Sequence, residues 1–270
     1  FTEHMAFNGT KDFPKNEIIN YLQKAGVRFG ADLNAYTGFN QTVYQLPIPT
    51  DSAEVFKTGF KILANWAGKV SMDGAEIDNE RGVIIEEDRQ RGKNAQQRIS
   101  KQLLPFLLGD SRYAKRIPIG DVDLLQKFTH DKIRNFYKDW YRPNLQTVIA
   151  VGDFDVNEVE KLIIANFSEL KNPANEKPRT YYSIPDNAQP LVKIATDPEQ
   201  PYNVAQLIYK QKQGPVKTQA DYKLQMVQNM VNNMLAARIT EITQKGNAPF
   251  LFAQSGYGPY QGGMIWDMNA

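Results

Sequence analysis

Residues 1–10 read FTEHMAFNGT. The first seven fit the end of a helix, and Asn8-Gly9 is a pair that stops one. Inside that run stand Glu3 and His4. A Glu-His pair is by itself weak, because most such pairs are ordinary surface chemistry. The context sharpens it. In the inverted zinc motif, His-x-x-Glu-His, the two histidines are four apart and share one helix face. The Glu sits one residue before the second His, where it reaches a metal-bound water. In that pattern His4 is the second histidine, and the first would stand directly before Phe1, outside this sequence.

Further along lies ERGVIIEE, residues 80–87. Glu80 and Glu87 are two helical turns apart and point nearly the same way. Ile77 lies near Glu80, and Val83 and Ile84 flank Glu87, so the two carboxylates share an apolar stripe. Carboxylates on such a stripe are costly unless paired or bound to a cation. Glu87 then suits a metal ligand and Glu80 a group that orients a ligand. Glu86 points a quarter-turn away. The competing reading is a solvated, salt-bridged face, because Glu76, Asp78, Arg81, Asp88, Arg89 and Arg91 lie on the same helix.

Between these stretches, residues 34–49 read NAYTGFNQTVYQLPIP. Alternation over 34–48 predicts one strand with Thr42, Tyr44, Leu46 and Ile48 on a face. As an edge strand it would offer open backbone groups to an extended peptide. An ordinary interior strand fits the same pattern.

Elsewhere, spacing predicts helices over 16–24, 51–70, 73–104 (stopped by Pro105), 131–140, 156–167 and 218–244. Strands are predicted over 147–152, 191–195, 204–209, 250–255 and 264–268. His130, at a helix start, reads as a capping-region residue. The polar stretch 172–186 reads as a linker between a first domain, 1–178, and a second, 187–270. The fold class is α/β (α+β): two similar domains, each a sheet with helices on one face. Both ends read as cut.

The 270 residues carry 32 basic and 30 acidic side chains, a formal net charge of +2. That balance gives no reason to expect nucleic acid as a partner. No apolar run is long enough to span a bilayer. Without cysteine, thiolate metal sites and thiol catalysis are excluded. With two histidines, any metal site is short of imidazole or takes it from elsewhere.

FTEHMAFNGT, NAYTGFNQTVY, ERGVIIEE and RPNLQTVIAVGDF (142–154), in that order, resemble the pitrilysin or insulinase-type zinc metallopeptidases, particularly bacterial, processing-peptidase-like members. NMLAARITEITQKGNAPFLFAQSGY (233–257) resembles the second domain of that family's first half. The resemblance implies a zinc endopeptidase built on mostly antiparallel sheets. Glu3 would be the general base, His4 and Glu87 metal ligands, and Glu80 their acidic neighbour. Asn34, Ala35 and Thr37 would lie along the peptide-holding strand. It implies zinc as cofactor, an extended peptide as substrate, and a second half, in the same polypeptide or a partner subunit, that closes over the peptide. A bacterial periplasm or cell envelope is the implied location. This piece alone would be inactive. The alternative is a non-catalytic member that uses the fold to bind peptides or partners.

Overall fold

The computed structural model describes residues 1–28, 30, 34–211, 216–260 and 263–269. In chain order the elements are α1 (Thr2–Met5), α2 (Glu17–Lys24), β1 (Asn34–Thr37), β2 (Thr42–Gln45), α3 (Ala53–Gly68), α4 (Gly74–Arg91) and α5 (Ala95–Leu108). There follow α6 (Val122–Lys127), α7 (His130–Trp140), α8 (Val156–Phe167), β3 (Gln206–Gln211), α9 (Gln219–Thr243), β4 (Gln254–Tyr260) and β5 (Gly263–Asn269). The chain is helix-rich α+β with small antiparallel sheets. Its contacts divide it into two units, 1–90 with 117–180, and 91–116 with 181–270.

In the first unit, Met5 at the end of α1, Ala6 just after it, and Ile18 and Leu22 from α2 are buried together with Ile62 and Trp66 from α3 and Ile77 from α4. A four-residue helix has no independent stability, so this burial is what holds α1. Gly9 has φ of +131°, and a Cβ there would lie 2.7 Å from the Lys15 backbone nitrogen. Only glycine lets the chain turn here. The turn sets Thr10 opposite Val70 in a single bridge, with Ser71 N–H donating to Gly9 O at 3.1 Å. Asn65, buried on α3, donates to Asp12 Oδ2 at 3.0 Å and accepts from Asp12 N–H at 3.2 Å. α4 is held by Arg81, which donates to the carbonyls of Leu125 and Phe128 and lies 4.1 Å over the Phe128 ring.

The stretch expected as one strand over 34–48 is instead a hairpin. β1 and β2 pair antiparallel, with Asn34 opposite Gln45 and Thr37 opposite Thr42. Gly38 N–H donates to Gln41 O at 2.8 Å and closes the turn. Gly-Phe-Asn-Gln contains the residues that favour such a reversal, and they outweigh the alternation around them. The single helix expected over 73–104 is two helices. Gly92 is a poor helix former, and Asn94 caps α5 by accepting from Gln96 N–H at 2.8 Å. Pro105 does not stop that helix; it lies in the last turn of α5. Residues 147–152 and 191–195 form no strand. Ile149 and Val151 are 78% and 91% exposed, and among the described residues no neighbouring strand supplies their ladder.

The segment 172–178 is tied into the first unit. Arg142 donates to Lys177 O at 2.7 Å, and Asn144 N–H to Asn172 Oδ1 at 3.2 Å.

In the second unit the strand order is β3-β5-β4, all antiparallel, and α9 packs on β4. The closing strand over 264–268 is therefore present as part of β5, while its side chains lie outside the described residues. α9 begins with a capping box, Thr218 and Asp221 each accepting from the other's backbone. Arg98 on α5 grips Asp197 through two hydrogen bonds of 2.6 Å and Glu199 through one of 2.7 Å.

Candidate metal and peptide-binding site

α1 buries Thr2 and Met5 and leaves Glu3 and His4 half-buried. The stripe on α4 buries Ile77 and Ile84, and Glu80 is only 8% exposed. Val83, expected on the same stripe, is 53% exposed. Glu80 is thus a buried carboxylate and Glu87 a half-buried one, and the fully solvated face does not apply to either. Glu86 is exposed and paired with Arg89, as its quarter-turn offset implies.

The two helices meet at His4. Its Nδ1 lies 2.7 Å from Glu80 Oε1, and its Nε2 lies 3.6 Å from Glu87 Oε2. Asn8 donates from Nδ2 to the other Glu80 oxygen. Burial pushes the Glu80 carboxyl up, but the hydrogen bonds from His4 and Asn8 outweigh it and hold it below the usual range. An ionised carboxylate only accepts, so His4 Nδ1 carries a proton. In the neutral ring Nε2 then presents its lone pair towards Glu87.

Two ligand atoms on a tetrahedral zinc lie about 3.4 Å apart when each bond is about 2.1 Å. The spacing of His4 Nε2 and Glu87 Oε2 is close to that. A histidine whose second nitrogen is held by a carboxylate is the usual arrangement at zinc. His4 and Glu87 therefore fit a shared zinc as two of its ligands. Among the described residues no third His, Asp or Glu joins them in a group that could hold a metal ion.

Glu3 points to the hairpin. Its Oε2 accepts a hydrogen bond from Thr37 Oγ1 on β1. Asn34 and Thr37 are exposed and Ala35 is half-buried, so the three positions expected to hold peptide form an accessible strand beside α1. An open apolar cleft of about 840 Å³ along 150–164 lies elsewhere in the unit and includes none of these residues.

Residues 1–116 match the insulinase model, peptidase family M16, and residues 127–266 match the model described as the peptidase M16 inactive domain. The chain belongs to peptidase family M16. It is 36% identical over 248 residues to the probable zinc protease PqqL of Escherichia coli, covering 91% of this chain and 26% of that protein. To PqqL of Haemophilus influenzae it is 34% identical over 243 residues, 88% of this chain and 26% of the relative. The crystal structure of the first half of the periplasmic protease PqqL from E. coli superposes with a TM-score of 0.87 at 32% identity, over 100% of this chain and 58% of that one. The chain thus spans about a quarter of the length of these curated relatives.

For an M16 chain, the sequence reading missed two things. Asn8 was read only as a helix stop, although it stands four residues after His4 and so on the same side of the turn. Tyr141 carries no sequence signal of a role here, yet its hydroxyl lies 3.0 Å from that of Tyr44 on the hairpin. No sequence signal links residues so far apart. His130 is held as a structural residue, with Nε2 at 2.9 Å from Asp78.

Proposed function

We propose that this chain carries part of the metal site of a zinc peptidase that cuts extended peptides. The observation that supports it most is His4, with Nδ1 on Glu80 and Nε2 facing Glu87 at 3.6 Å. His4 and Glu87 would hold zinc, with a first histidine from the residue preceding Phe1. Zinc, when bound, polarises a water and lowers its pKa to about 7. Glu80 fixes the tautomer and direction of His4, and Asn8 fixes Glu80. Glu3 takes the proton of the attacking water at its carboxylate and returns it to the leaving amine. Asn34, Ala35 and Thr37 offer backbone groups to the peptide, which lies extended as an added strand and so meets the water in one orientation.

The groups that steady the developing oxyanion would come from a second half, in the same polypeptide or a partner subunit. By analogy with the periplasmic PqqL of E. coli, the protein works in the periplasm or cell envelope. The test is hydrolysis of an internally quenched peptide by the full-length protein. Glu3→Gln should lower kcat at least about a hundredfold with zinc content unchanged. A full-length protein that binds no zinc and cuts no peptide would overturn the reading and favour a peptide-binding role.

A further inference from the structure

A general base on a four-residue helix has a positioning problem. Glu3 has three side-chain torsions, and a half-buried glutamate samples many of them. Among the described residues the bond that restrains it is the donation from Thr37 Oγ1 to Glu3 Oε2. A carboxylate can only accept from a hydroxyl, so the single Thr37 proton is committed to Glu3. Thr37 Oγ1 also lies 3.3 Å from Thr42 Oγ1, its direct opposite across the hairpin. With the Thr37 proton committed, Thr42 must be the donor of that contact. Two residues on along β2, the Tyr44 hydroxyl lies 3.0 Å from that of Tyr141.

The contacts at the site therefore run one way, Thr42 to Thr37 to Glu3. Such a row is cooperative, each donation strengthening the next. The strand that carries Thr42 is anchored two residues on, where Tyr44 stacks on the buried Trp66 at 5.4 Å and meets Tyr141, itself 4.6 Å from Tyr137.

We propose that the Thr37 hydroxyl is a positioning group for the Glu3 carboxylate, aimed by Thr42 on the strand that Tyr44 and Tyr141 anchor, so that the strand holding the peptide also directs the base. This rests on Glu3 being the base. It assigns a task to the Thr37 side chain beyond the backbone pairing of β1. Thr37 is exposed, and water competes for its bond to Glu3. A peptide lying on β1 would exclude that water and tighten the bond, so substrate binding itself would orient the base.

The experiment uses the full-length protein. Thr37→Val keeps shape and backbone and removes the hydroxyl, while Thr37→Ser restores it. Thr37→Val should lower kcat for a quenched peptide about tenfold or more, with KM within about twofold, since displacing a catalytic group by an ångström costs up to a hundredfold. Zinc content should not change, Thr37→Ser should return to near wild-type kcat, and Thr42→Val should fall between. Crystal structures of the wild-type and Thr37→Val proteins give a readout independent of activity, with the Glu3 carboxylate expected to leave its place in the variant. An unchanged kcat, a raised KM with kcat intact, or a Glu3 carboxylate unmoved in the Thr37→Val crystal each overturns the proposal. If the wild-type protein cuts no peptide, the functional reading has failed, and the two crystals still decide whether Thr37 holds Glu3.

Discussion

Glu80 is costly to bury, and two donors offset that cost, His4 on one oxygen and Asn8 on the other. Removing its charge should loosen the ring rather than the fold. Glu80→Gln in the full-length protein is expected to weaken zinc binding about 10- to 100-fold, measured by competition with a chromogenic chelator. Asn8→Ala should act in the same direction and less strongly, because His4 still holds the other oxygen. Equal zinc affinity in Glu80→Gln and wild type would show that the carboxylate charge does not tune His4. The sequence pointed to Glu80 and Glu87 through their two-turn spacing, but left open whether they faced core or water. Both spacings look alike in a charged helix, and only the packing of α4 against α1 separates them.

At the level of elements, the site depends on how α1 and α4 are pinned. Ile77 is fully buried where the two approach, so Ile77→Ala should cost about 2–5 kcal/mol in urea unfolding of the full-length protein. The turn after α1 is tied to α3 through Asp12 and Asn65. The Asn65 hydrogen bond, with help from Lys69, holds the Asp12 carboxyl below its ordinary range despite some burial. A lowered folded pKa means that Asp12 contributes stability above its unfolded value, about pH 4, and loses it as pH falls through the folded value. Asp12→Asn should therefore lower the melting temperature at pH 6–7. The difference should shrink towards zero as the pH drops below about 4. A gap that persists unchanged into strong acid would assign the effect to packing instead.

Across the whole chain, the proposed reading gives the zinc two of its three protein ligands, His4 and Glu87. These 270 residues on their own are expected to hold zinc poorly and to cut no peptide, because a two-ligand site keeps too many waters. A longer polypeptide that restores the preceding residues and the second half should do both. Metal analysis after gel filtration and a quenched-peptide assay on both proteins check this. Cleavage by the short chain that disappears in Glu3→Gln would refute the account of the site.

Local sequence determined the helices α2, α3, α7, α8 and α9, whose apolar spacing and caps act within a few residues of one another. It also singled out Glu3, His4 and the Glu80–Glu87 stripe as candidates, since motif and helical period are written in consecutive residues. The hairpin at 34–45 and the break at 92–94 were present as Gly and Asn signals, but alternation and charge pattern masked them. The strands expected at 147–152 and 191–195 did not form, because a strand needs a partner that its own residues cannot provide. Only tertiary structure decided that Asn8 grips Glu80, that Thr37 meets Glu3, and that Tyr141 reaches the hairpin across 97 residues of chain. Those contacts come from burial of Met5, Trp66 and Ile77 in one core, and no short window of sequence encodes which distant side chains such a core brings together.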